Sequence, residues 1–376
     1  MKIVADDKIP FLNGVLEPFC DVEYIEGKYI SRENIKDADA LIIRTRTKCN
    51  AELLDGTSVK FIATATIGFD HIDTKYCKEN RIQWTNAPGC NSGSVQQWFM
   101  AAILYFAKEN KIDLTTRTLG IVGVGNVGRK ILRFTDSLGL RVLINDPPRA
   151  RKEGACGFNT MNTIQKECDI ITFHVPLNTA GDDKTYHLVD EQFLSKLNPG
   201  SLLINSSRGE VIDNVVLNEN LKKNTACNAI LDVWENEPEL NLDLLKNSFL
   251  STPHIAGYSL DGKANGTAMS VQSISKVFRL PYTDWYPDEI PAPEIDSINI
   301  DAKKKSRQQL ITEVILHTYN IKADSDLLKT NWKDFEKQRG NYPLRREPAA
   351  YTVNIKNDNR NYKIILERLG FKVVQK

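Results

Sequence analysis

The side chains best suited to acid-base chemistry are an arginine, a glutamate and a histidine, each of which follows a predicted strand. Arg208 stands in Ser-Ser-Arg-Gly, Glu237 in Asp-Val-Trp-Glu-Asn-Glu-Pro, and His254 in Thr-Pro-His. Histidine can accept a proton near neutral pH, a carboxylate can orient its ring, and a guanidinium can form a bidentate pair with a carboxylate. This set suits removal of a hydroxyl proton from a substrate that also carries a carboxylate. We therefore predict Arg208, Glu237 and His254 as catalytic residues.

A glycine-rich turn earlier in the chain has the spacing of a phosphate-binding loop. Its sequence over residues 123–128, Gly-Val-Gly-Asn-Val-Gly, follows a predicted strand and begins an apolar helix. The first glycine permits the tight turn, the second lets the backbone approach a pyrophosphate, and the third lets helix and strand pack closely. The helix N-terminus offers free N–H groups to the phosphates. The predicted dinucleotide-binding residues of this turn are Gly123, Gly125, Asn126, Val127 and Gly128.

An acidic residue at the end of the next strand predicts which dinucleotide binds. Asp146 lies about 20 residues beyond the glycine turn, where a carboxylate accepts hydrogen bonds from the adenosine ribose and would repel a 2′-phosphate. NAD is therefore predicted as the cofactor, although Arg149 and Arg151 nearby weaken the preference over NADP. His174, at the end of another strand, is expected to be structural. No metal site is predicted, because the cysteines are widely spaced without a Cys-x-x-Cys pair.

The predicted elements belong to the α/β class, in which parallel strands alternate with helices. Short apolar runs such as residues 3–5 and 40–43 form a small α/β unit near the start, and residues 94–110 form one long, largely buried helix. Six further runs between residues 118 and 251 predict a doubly wound sheet. A proline-rich stretch at 281–293 predicts a linker, beyond which helix and strand are mixed.

Length and charge limit the class of protein. The chain has 376 residues, with 49 basic against 48 acidic side chains, and this length predicts two or three domains. Balanced charge gives no reason to expect a nucleic acid or an anionic membrane as partner. No run near 18 apolar residues occurs, and acidic residues stand where a signal peptide would be apolar. A soluble, cytoplasmic protein with reduced cysteines is expected.

A series of motifs, in order, resembles the D-isomer-specific 2-hydroxyacid dehydrogenase family over roughly residues 1–280. They are Gly68-Phe-Asp-His-Ile-Asp73, Asn86-Ala-Pro-Gly, the glycine turn, His174-x-Pro-Leu, Ser207-Arg-Gly, Asp232-Val-Trp-x-x-Glu-Pro and Pro253-His254. The resemblance implies a Rossmann cofactor domain inserted in a discontinuous, flavodoxin-like substrate domain, and the catalytic roles given above. It also implies further cofactor contacts at Val175, Pro176, Ser206, Ser207, Asp232 and Gly257. Val175 stands where relatives have threonine, so no side-chain hydrogen bond to the cofactor is expected there.

Within that family, residues 1–6, 146–149 and 339–347 resemble a narrower group that acts on a phosphorylated 2-hydroxy acid. The implied domains are residues 1–93 for the first part of the substrate domain, 94–256 for the NAD-binding domain, 257–285 for the return segment, and 286–376 for a small α+β domain. In that group the last domain mediates formation of a homodimer. Arg345 and Arg346 in this domain could reach a site across the dimer or face solvent, and we favour solvent.

A substrate phosphate requires cationic or donor-rich side chains. Arg44 and Arg46, in the Arg-Thr-Arg-Thr segment after the strand at 40–43, are the candidates, with a solvated loop as the alternative. The resemblance implies further substrate contacts at Thr45, Thr66 and Tyr258.

The activity predicted from these residues is NAD-dependent oxidation of a phosphorylated 2-hydroxy acid. The particular acid stays open at this point, because another acid such as 3-phosphoglycerate would satisfy the same motifs. The alternative of a different class is an NAD(H)-sensing binding protein without turnover.

Overall fold

The structure, a computed structural model, describes residues 1–223, 227–343 and 345–376. The strands are β1 (Lys2–Asp6), β2 (Asp21–Ile25), β3 (Ala40–Ile43), β4 (Phe61–Thr64), β5 (Gln83–Thr85), β6 (Thr118–Val122), β7 (Arg141–Asn145), β8 (Ile170–Phe173), β9 (Ser201–Asn205), β10 (Cys227–Leu231), β11 (Leu250–Ser251), β12 (Ser297–Asp301), β13 (Thr352–Lys356) and β14 (Lys372–Gln375). The α-helices are α1 (Arg32–Ile35), α2 (Ala51–Leu54), α3 (Thr74–Glu79), α4 (Ser92–Glu109), α5 (Asn126–Leu138), α6 (Pro147–Glu153), α7 (Met161–Glu167), α8 (Glu191–Leu194), α9 (Asn214–Lys222), α10 (Leu242–Asn247), α11 (Leu260–Phe278), α12 (Arg307–Thr318), α13 (Ile321–Thr330), α14 (Phe335–Gly340) and α15 (Tyr362–Arg368). Within the described ranges, no helix has the length and apolar character needed to cross a membrane.

The chain divides into two compact units, each built from two stretches of sequence. The first unit contains Met1–Ser92 and Ser259–Pro291, and the second contains Gly93–Tyr258 and Ala292–Lys376. Each unit is described below by itself.

The first unit contains a five-stranded parallel sheet in the order β2-β1-β3-β4-β5, which is the flavodoxin-like order. Strands β3 and β4 are buried throughout, as continuous apolar runs predict for strands covered on both faces. Helix α11 packs close to the sheet, because a Cβ at Gly266 would lie 2.7 Å from the Ala65 carbonyl oxygen. Sequence analysis missed β2, an edge strand that pairs with β1 and is only half-buried.

The second unit contains the predicted doubly wound sheet, with six parallel strands in the order β11-β10-β9-β8-β6-β7. The strand order reverses between β6 and β8, so the topological switch point lies beside the end of β6. Ligands bind at such points in open α/β sheets. The fold class predicted from the sequence is confirmed in this unit and in the first.

The C-terminal residues form a smaller sheet within the second unit. Its strands are parallel in the order β12-β13-β14, where sequence analysis described an α+β domain. Buried side chains of α12 and β13 belong to the same hydrophobic core as those of α4 and β6. Residues 292–376 pack with residues 93–258 as one unit. The predicted boundary of a separate C-terminal domain at residue 286 and the other domain boundaries therefore stay predictions.

Candidate active site

The three predicted catalytic side chains follow neighbouring strands of the second unit. Arg208 follows β9, Glu237 lies in the loop after β10, and His254 follows β11. These strands are adjacent in the sheet, in the order β11-β10-β9. Because all the strands are parallel, the three loops leave from one edge of the sheet, the edge at which ligands bind in this architecture.

The imidazole of His254 is hydrogen-bonded to the carboxylate of Glu237. His254 Nδ1 donates to Glu237 Oε2 at 2.7 Å, and the backbone N–H of Trp234 donates to Oε1 at 2.9 Å. Burial acts to raise the pKa of Glu237, but His254, the Trp234 N–H and the nearby Arg339 together lower it. Glu237 is therefore ionised near neutral pH, and Nε2 of His254 is left for a substrate proton.

Asp232 fixes the loop that carries His254. Its carboxylate accepts hydrogen bonds from the N–H groups of Ile255 and Ala256 at 2.8 and 2.9 Å and from the Thr252 hydroxyl at 2.6 Å. Burial raises the pKa of Asp232, although His254 and these hydrogen bonds oppose the rise. The φ angle of His254 is 56°, a left-handed conformation that costs a non-glycine residue energy and that the surrounding bonds must hold.

Asn205 and Gly209 shape the turn that carries Arg208. The side-chain oxygen of Asn205 accepts hydrogen bonds from the N–H and hydroxyl of Ser207 at 3.0 and 2.8 Å, and its amide donates to the Arg208 carbonyl at 2.8 Å. A Cβ at Gly209 would lie 2.0 Å from the carbonyl carbon of Trp234. The glycine thus lets this turn contact the loop after β10. Sequence analysis did not assign a role to Asn205, although a polar residue closing a buried apolar strand is a usable signal.

The glycines of the predicted phosphate-binding turn have distinct steric roles. Gly123 has a φ of 88°, and a Cβ there would lie 2.4 Å from the His174 carbonyl oxygen. A Cβ at Gly128 would lie 2.2 Å from the carbonyl oxygen of Gly123, so this glycine lets α5 pack against the end of β6. A Cβ at Gly125, the N-cap of α5, would meet no heavy atom within 4 Å. The turn therefore has room for a phosphate beside Gly125 and the start of α5.

Asp146 follows β7 and caps α6. Its carboxylate accepts hydrogen bonds from the N–H groups of Val124, in the glycine turn, and of Arg149, at 2.8 and 3.1 Å. The Arg149 guanidinium donates to the Val124 carbonyl at 2.7 Å and pairs with Glu153, while Arg151 pairs with another acidic side chain. Both arginines near Asp146 thus already contact carboxylates, and this favours NAD over NADP.

The other predicted cofactor residues lie in the same unit. Asn126 and Val127 begin α5, Val175 and Pro176 follow β8, Ser206 and Ser207 follow β9, and Gly257 lies in the loop after β11. The Ser206 hydroxyl is buried and has no hydrogen-bond partner within the described ranges. Because buried polar groups are nearly always bonded, a ligand that bonds this hydroxyl is expected. The buried hydroxyl and the open space at Gly125 both fit NAD.

Four predicted substrate residues belong to the first unit. Arg44, Thr45 and Arg46 follow β3, and Thr66 follows β4. Arg44 is half-buried and donates to a backbone carbonyl at 3.2 Å, whereas Thr45 and Arg46 are exposed. The Thr66 hydroxyl donates to the Gly68 carbonyl at 2.9 Å.

Lys263, in the first turns of α11, is a candidate that sequence analysis missed. It is half-buried, and burial together with the positive charge of Arg44 lowers its pKa to about 8. Arg44 and Lys263 are therefore close enough to repel each other. Their separation along the chain left no local pattern that could have joined them.

Arg345 corrects a prediction. We expected it to face solvent, but it is buried, with 8% of its surface exposed. Tyr258, the remaining predicted substrate residue, belongs to the same unit, and its ring lies 6.2 Å from that of Tyr342. The Arg339 guanidinium lies 6.0 Å from the Tyr258 ring centre. Tyr342 and Arg339, from the C-terminal residues, thus lie next to Tyr258 in the loop that carries the catalytic histidine.

Comparisons with known proteins agree with this geometry. Residues 95–256 match the family model of the D-isomer-specific 2-hydroxyacid dehydrogenase NAD-binding domain, and residues 290–370 match one described as a domain of unknown function, DUF3410. The erythronate-4-phosphate dehydrogenase of Bacteroides thetaiotaomicron is 50% identical over 94% of this chain and 99% of its own length. That of Proteus mirabilis is 38% identical over the full length of both chains.

Solved structures are similar over a smaller part of the chain. The NAD-bound 3-phosphoglycerate dehydrogenase of Entamoeba histolytica is 26% identical, with a TM-score of 0.63 over 77% of this chain and 99% of its own. The D-lactate dehydrogenase of Aquifex aeolicus, complexed with NAD and lactic acid, shares the fold, with a TM-score of 0.62 over 77% of this chain and 100% of its own.

The doubly wound sheet, the glycine turn and the arginine, glutamate and histidine at its edge define a D-2-hydroxyacid dehydrogenase, an NAD-dependent oxidoreductase that acts on CH–OH groups. Within that class, the chain belongs to the erythronate-4-phosphate dehydrogenase family.

Proposed function

We propose that this protein oxidises the 2-hydroxyl group of 4-phospho-D-erythronate to 2-oxo-3-hydroxy-4-phosphobutanoate, a step of pyridoxal 5′-phosphate biosynthesis. The names of its full-length relatives support this substrate. The observation that carries the chemistry is the 2.7 Å hydrogen bond between His254 and Glu237. It joins a proton acceptor to an ionised carboxylate on neighbouring loops of the sheet edge.

Each catalytic side chain has one role in this proposal. His254 accepts the hydroxyl proton at Nε2, because Nδ1 is bonded to Glu237. Glu237 stabilises the imidazolium as it forms. Arg208 binds the substrate carboxylate in a bidentate pair and so holds C2 near His254.

The cofactor-binding roles also stay proposals. NAD, when bound, supplies the hydride acceptor. The backbone of residues 123–128 binds its pyrophosphate, Asp146 binds the adenosine ribose, and Ser206 bonds the cofactor through its buried hydroxyl. Asp232 and Gly257 contact the nicotinamide end, as the family resemblance implies.

We propose that Arg44 and Lys263 bind the substrate phosphate. The support is electrostatic, since Arg44 lowers the pKa of Lys263 and a bound dianion would relieve the repulsion between them. Thr45, Arg46, Thr66 and Tyr258 are proposed as further substrate contacts on the family resemblance.

The C-terminal residues are proposed to mediate a homodimer in the cytoplasm. The family resemblance supports the dimer. The location fits the balanced charge and the six described cysteine side chains, which form no disulfide, while the Cys227 side chain lies outside the described part of the chain.

A comparison of substrates tests the proposed activity. Initial rates of NADH formation are measured with 4-phosphoerythronate, 3-phosphoglycerate and erythronate, with a 2-oxo acid added in parallel to reoxidise bound NADH. The proposal predicts the highest kcat/KM for 4-phosphoerythronate. A higher kcat/KM for 3-phosphoglycerate would show that this acid is the substrate instead. NADH binding without turnover of any acid would indicate an NAD(H)-sensing protein.

A further inference from the structure

Arg345 is bonded to the backbone that directly follows the catalytic histidine. Its guanidinium donates to the carbonyl oxygen of Ile255 at 3.2 Å and to that of Ala256 at 2.6 Å. It also donates to the Ser94 carbonyl at 3.1 Å and to the side-chain oxygen of Gln97 at 3.0 Å, both in the first turns of α4. One buried side chain thus ties the histidine loop to α4.

The backbone of the same two residues, Ile255 and Ala256, is also bonded to Asp232. The Asp232 carboxylate accepts the N–H groups of Ile255 and Ala256, while Arg345 donates to their carbonyl oxygens. The loop is therefore fixed by the Asp232 carboxylate at its N–H groups and by the Arg345 guanidinium at its carbonyl oxygens. This double attachment stands immediately after His254, the residue whose left-handed φ needs support.

Aromatic rings and an acid keep Arg345 in place. Its guanidinium lies 4.3 Å from the centre of the Tyr319 ring, and it donates to the Tyr342 hydroxyl at 3.3 Å. Both tyrosine hydroxyls donate to the Asp324 carboxylate at 2.8 Å. The positive charge of Arg345 is thus stabilised by backbone carbonyls and by tyrosine rings. The Asp324 carboxylate adds to this through the tyrosine hydroxyls, and all these groups lie in the second unit.

A second arginine from the same segment lies beside the catalytic pair. Arg339 is near enough to Glu237 to lower the pKa of that carboxyl, and its guanidinium lies 6.0 Å from the ring centre of Tyr258. Its Nε is buried and has no hydrogen-bond partner within the described ranges. Burial acts to lower the pKa of Arg339, and the negative charge of Glu336 is one of the effects that raise it.

We propose that Arg339 and Arg345 are positioning residues for the catalytic pair, with Arg345 fixing the backbone after His254 and Arg339 holding Glu237 and Tyr258. Both act within their own chain. This inference rests on the proposed function, and it gives the C-terminal segment a part in catalysis that is separate from dimer formation. The segment is then needed for turnover even where the cofactor domain is intact.

Kinetics of matched variants test the proposal. The set is Arg345→Met, Arg345→Lys, Tyr342→Phe, Arg339→Gln and Arg339→Lys, with the exposed Arg368→Gln as control. For each, NADH binding is measured by fluorescence, and kcat, KM and the pH profile of kcat/KM are measured with 4-phosphoerythronate. If the wild-type protein did not oxidise 4-phosphoerythronate, the proposed function itself would be refuted. That outcome is distinct from every variant result below.

The Arg345 variants should keep NADH affinity while kcat falls about 100-fold, since small displacements of a reacting group have effects of this size. Lysine should restore little, because it cannot donate to both carbonyls and to α4. If Arg345→Met does not fold, Tyr342→Phe carries the test, with an expected fall in kcat of about fivefold. Folded Arg345 variants, or Tyr342→Phe, with a kcat within about twofold of wild type would overturn this part.

Arg339→Gln should move the acid limb of the kcat/KM profile to higher pH. The reason is that loss of the cation makes protonation of the His254 and Glu237 pair easier. Asp232 is an acidic group near His254 that stays in place in this variant. Arg339→Lys should restore the profile, and Arg368→Gln should leave it unchanged. An unshifted profile in Arg339→Gln would show that Arg339 has only a structural role.

Discussion

At the scale of single residues, the catalytic pair is defined by what each atom already bonds. Both oxygens of Glu237 are engaged, one by His254 and one by the N–H of Trp234. These bonds outweigh burial and keep the carboxylate ionised. The orientation of the imidazole follows, because only Nδ1 contacts the carboxylate. Glutamate at 237 therefore fixes which nitrogen of His254 takes the substrate proton.

Replacement of Glu237 by glutamine should lower kcat by about 100-fold, because a charge-assisted hydrogen bond contributes roughly 1.5–3 kcal/mol. KM should change little, since the residue does not hold the substrate phosphate or carboxylate in this account. Steady-state kinetics with 4-phosphoerythronate measure both parameters. Glu239→Gln, two residues away, is the control. Equal kcat values for Glu237→Gln and wild type would contradict the assigned role.

Lys263→Met should raise KM for 4-phosphoerythronate about tenfold and leave KM for erythronate unchanged, since only the first acid carries the phosphate. The pKa of Lys263, lowered to about 8, adds a pH dependence in the wild-type protein. Above that pH the lysine loses its charge in the free protein, so KM for the phosphorylated acid should rise. Lys36→Met, at an exposed position of the first unit, should change neither KM. A parallel rise in KM for erythronate would show that Lys263 does not discriminate the phosphate.

At the scale of elements, the strand ends decide where chemistry can occur. The catalytic loops follow three adjacent strands, while the glycine turn lies at the switch point beside β6. Strand β8 ends at Phe173, and the Nε2 of the next residue, His174, is hydrogen-bonded to the Thr172 hydroxyl at 2.9 Å. Burial lowers the pKa of this histidine to about 3, as expected for a neutral structural residue.

Acidification should therefore destabilise the second unit through His174. In the unfolded chain the histidine pKa is about 6.5, so below that pH the unfolded state binds a proton that the folded state does not. Stability falls as pH drops, by roughly 1–2 kcal/mol at about pH 5 for this residue. Urea unfolding near neutral pH and near pH 5 should show this loss in the wild type and in the control His317→Gln. The loss should be smaller in His174→Gln, and equal pH dependence of all three would contradict the role.

Local patterns account for most of these elements. Strand β3 is a continuous apolar run whose predicted bounds, residues 40–43, match the structure, and β7, β8 and β9 lie among the runs predicted between residues 118 and 251. Strand β2 was missed because its alternation is that of a half-buried edge strand. The triad was predictable because each member lies in a recognisable motif in the loop that follows a strand. Lys263 and Arg345 were not, because their partners are distant in sequence and only the tertiary fold brings them together.

At the scale of the whole molecule, the chain leaves the first unit at the start of α4 and returns to it at Ser259, directly after the catalytic loop. The C-terminal residues then extend the core of the second unit. The polypeptide that follows His254 thus contributes to both units, with α11 carrying Lys263 and the last segment carrying Arg345. This path explains why residues late in the chain can act on a motif that precedes them.

The proposed homodimer gives a prediction at this scale. Size-exclusion chromatography with light scattering should give a mass about twice that of the 42.5 kDa chain. A monomeric mass for the full chain at micromolar concentration would contradict the dimer without affecting the assignment of the catalytic residues.

The central claim is that His254, supported by Glu237, removes the proton from the 2-hydroxyl of 4-phosphoerythronate while NAD is reduced. The most direct measurement follows NADH and the 2-oxo acid product together, with wild type and His254→Asn, near neutral pH. The account predicts equal amounts of NADH and 2-oxo acid from the wild type, and a rate lower by about 10²- to 10⁴-fold in the variant with NADH binding retained. Oxidation by His254→Asn at the wild-type rate, or NADH formed without the 2-oxo acid, would contradict it.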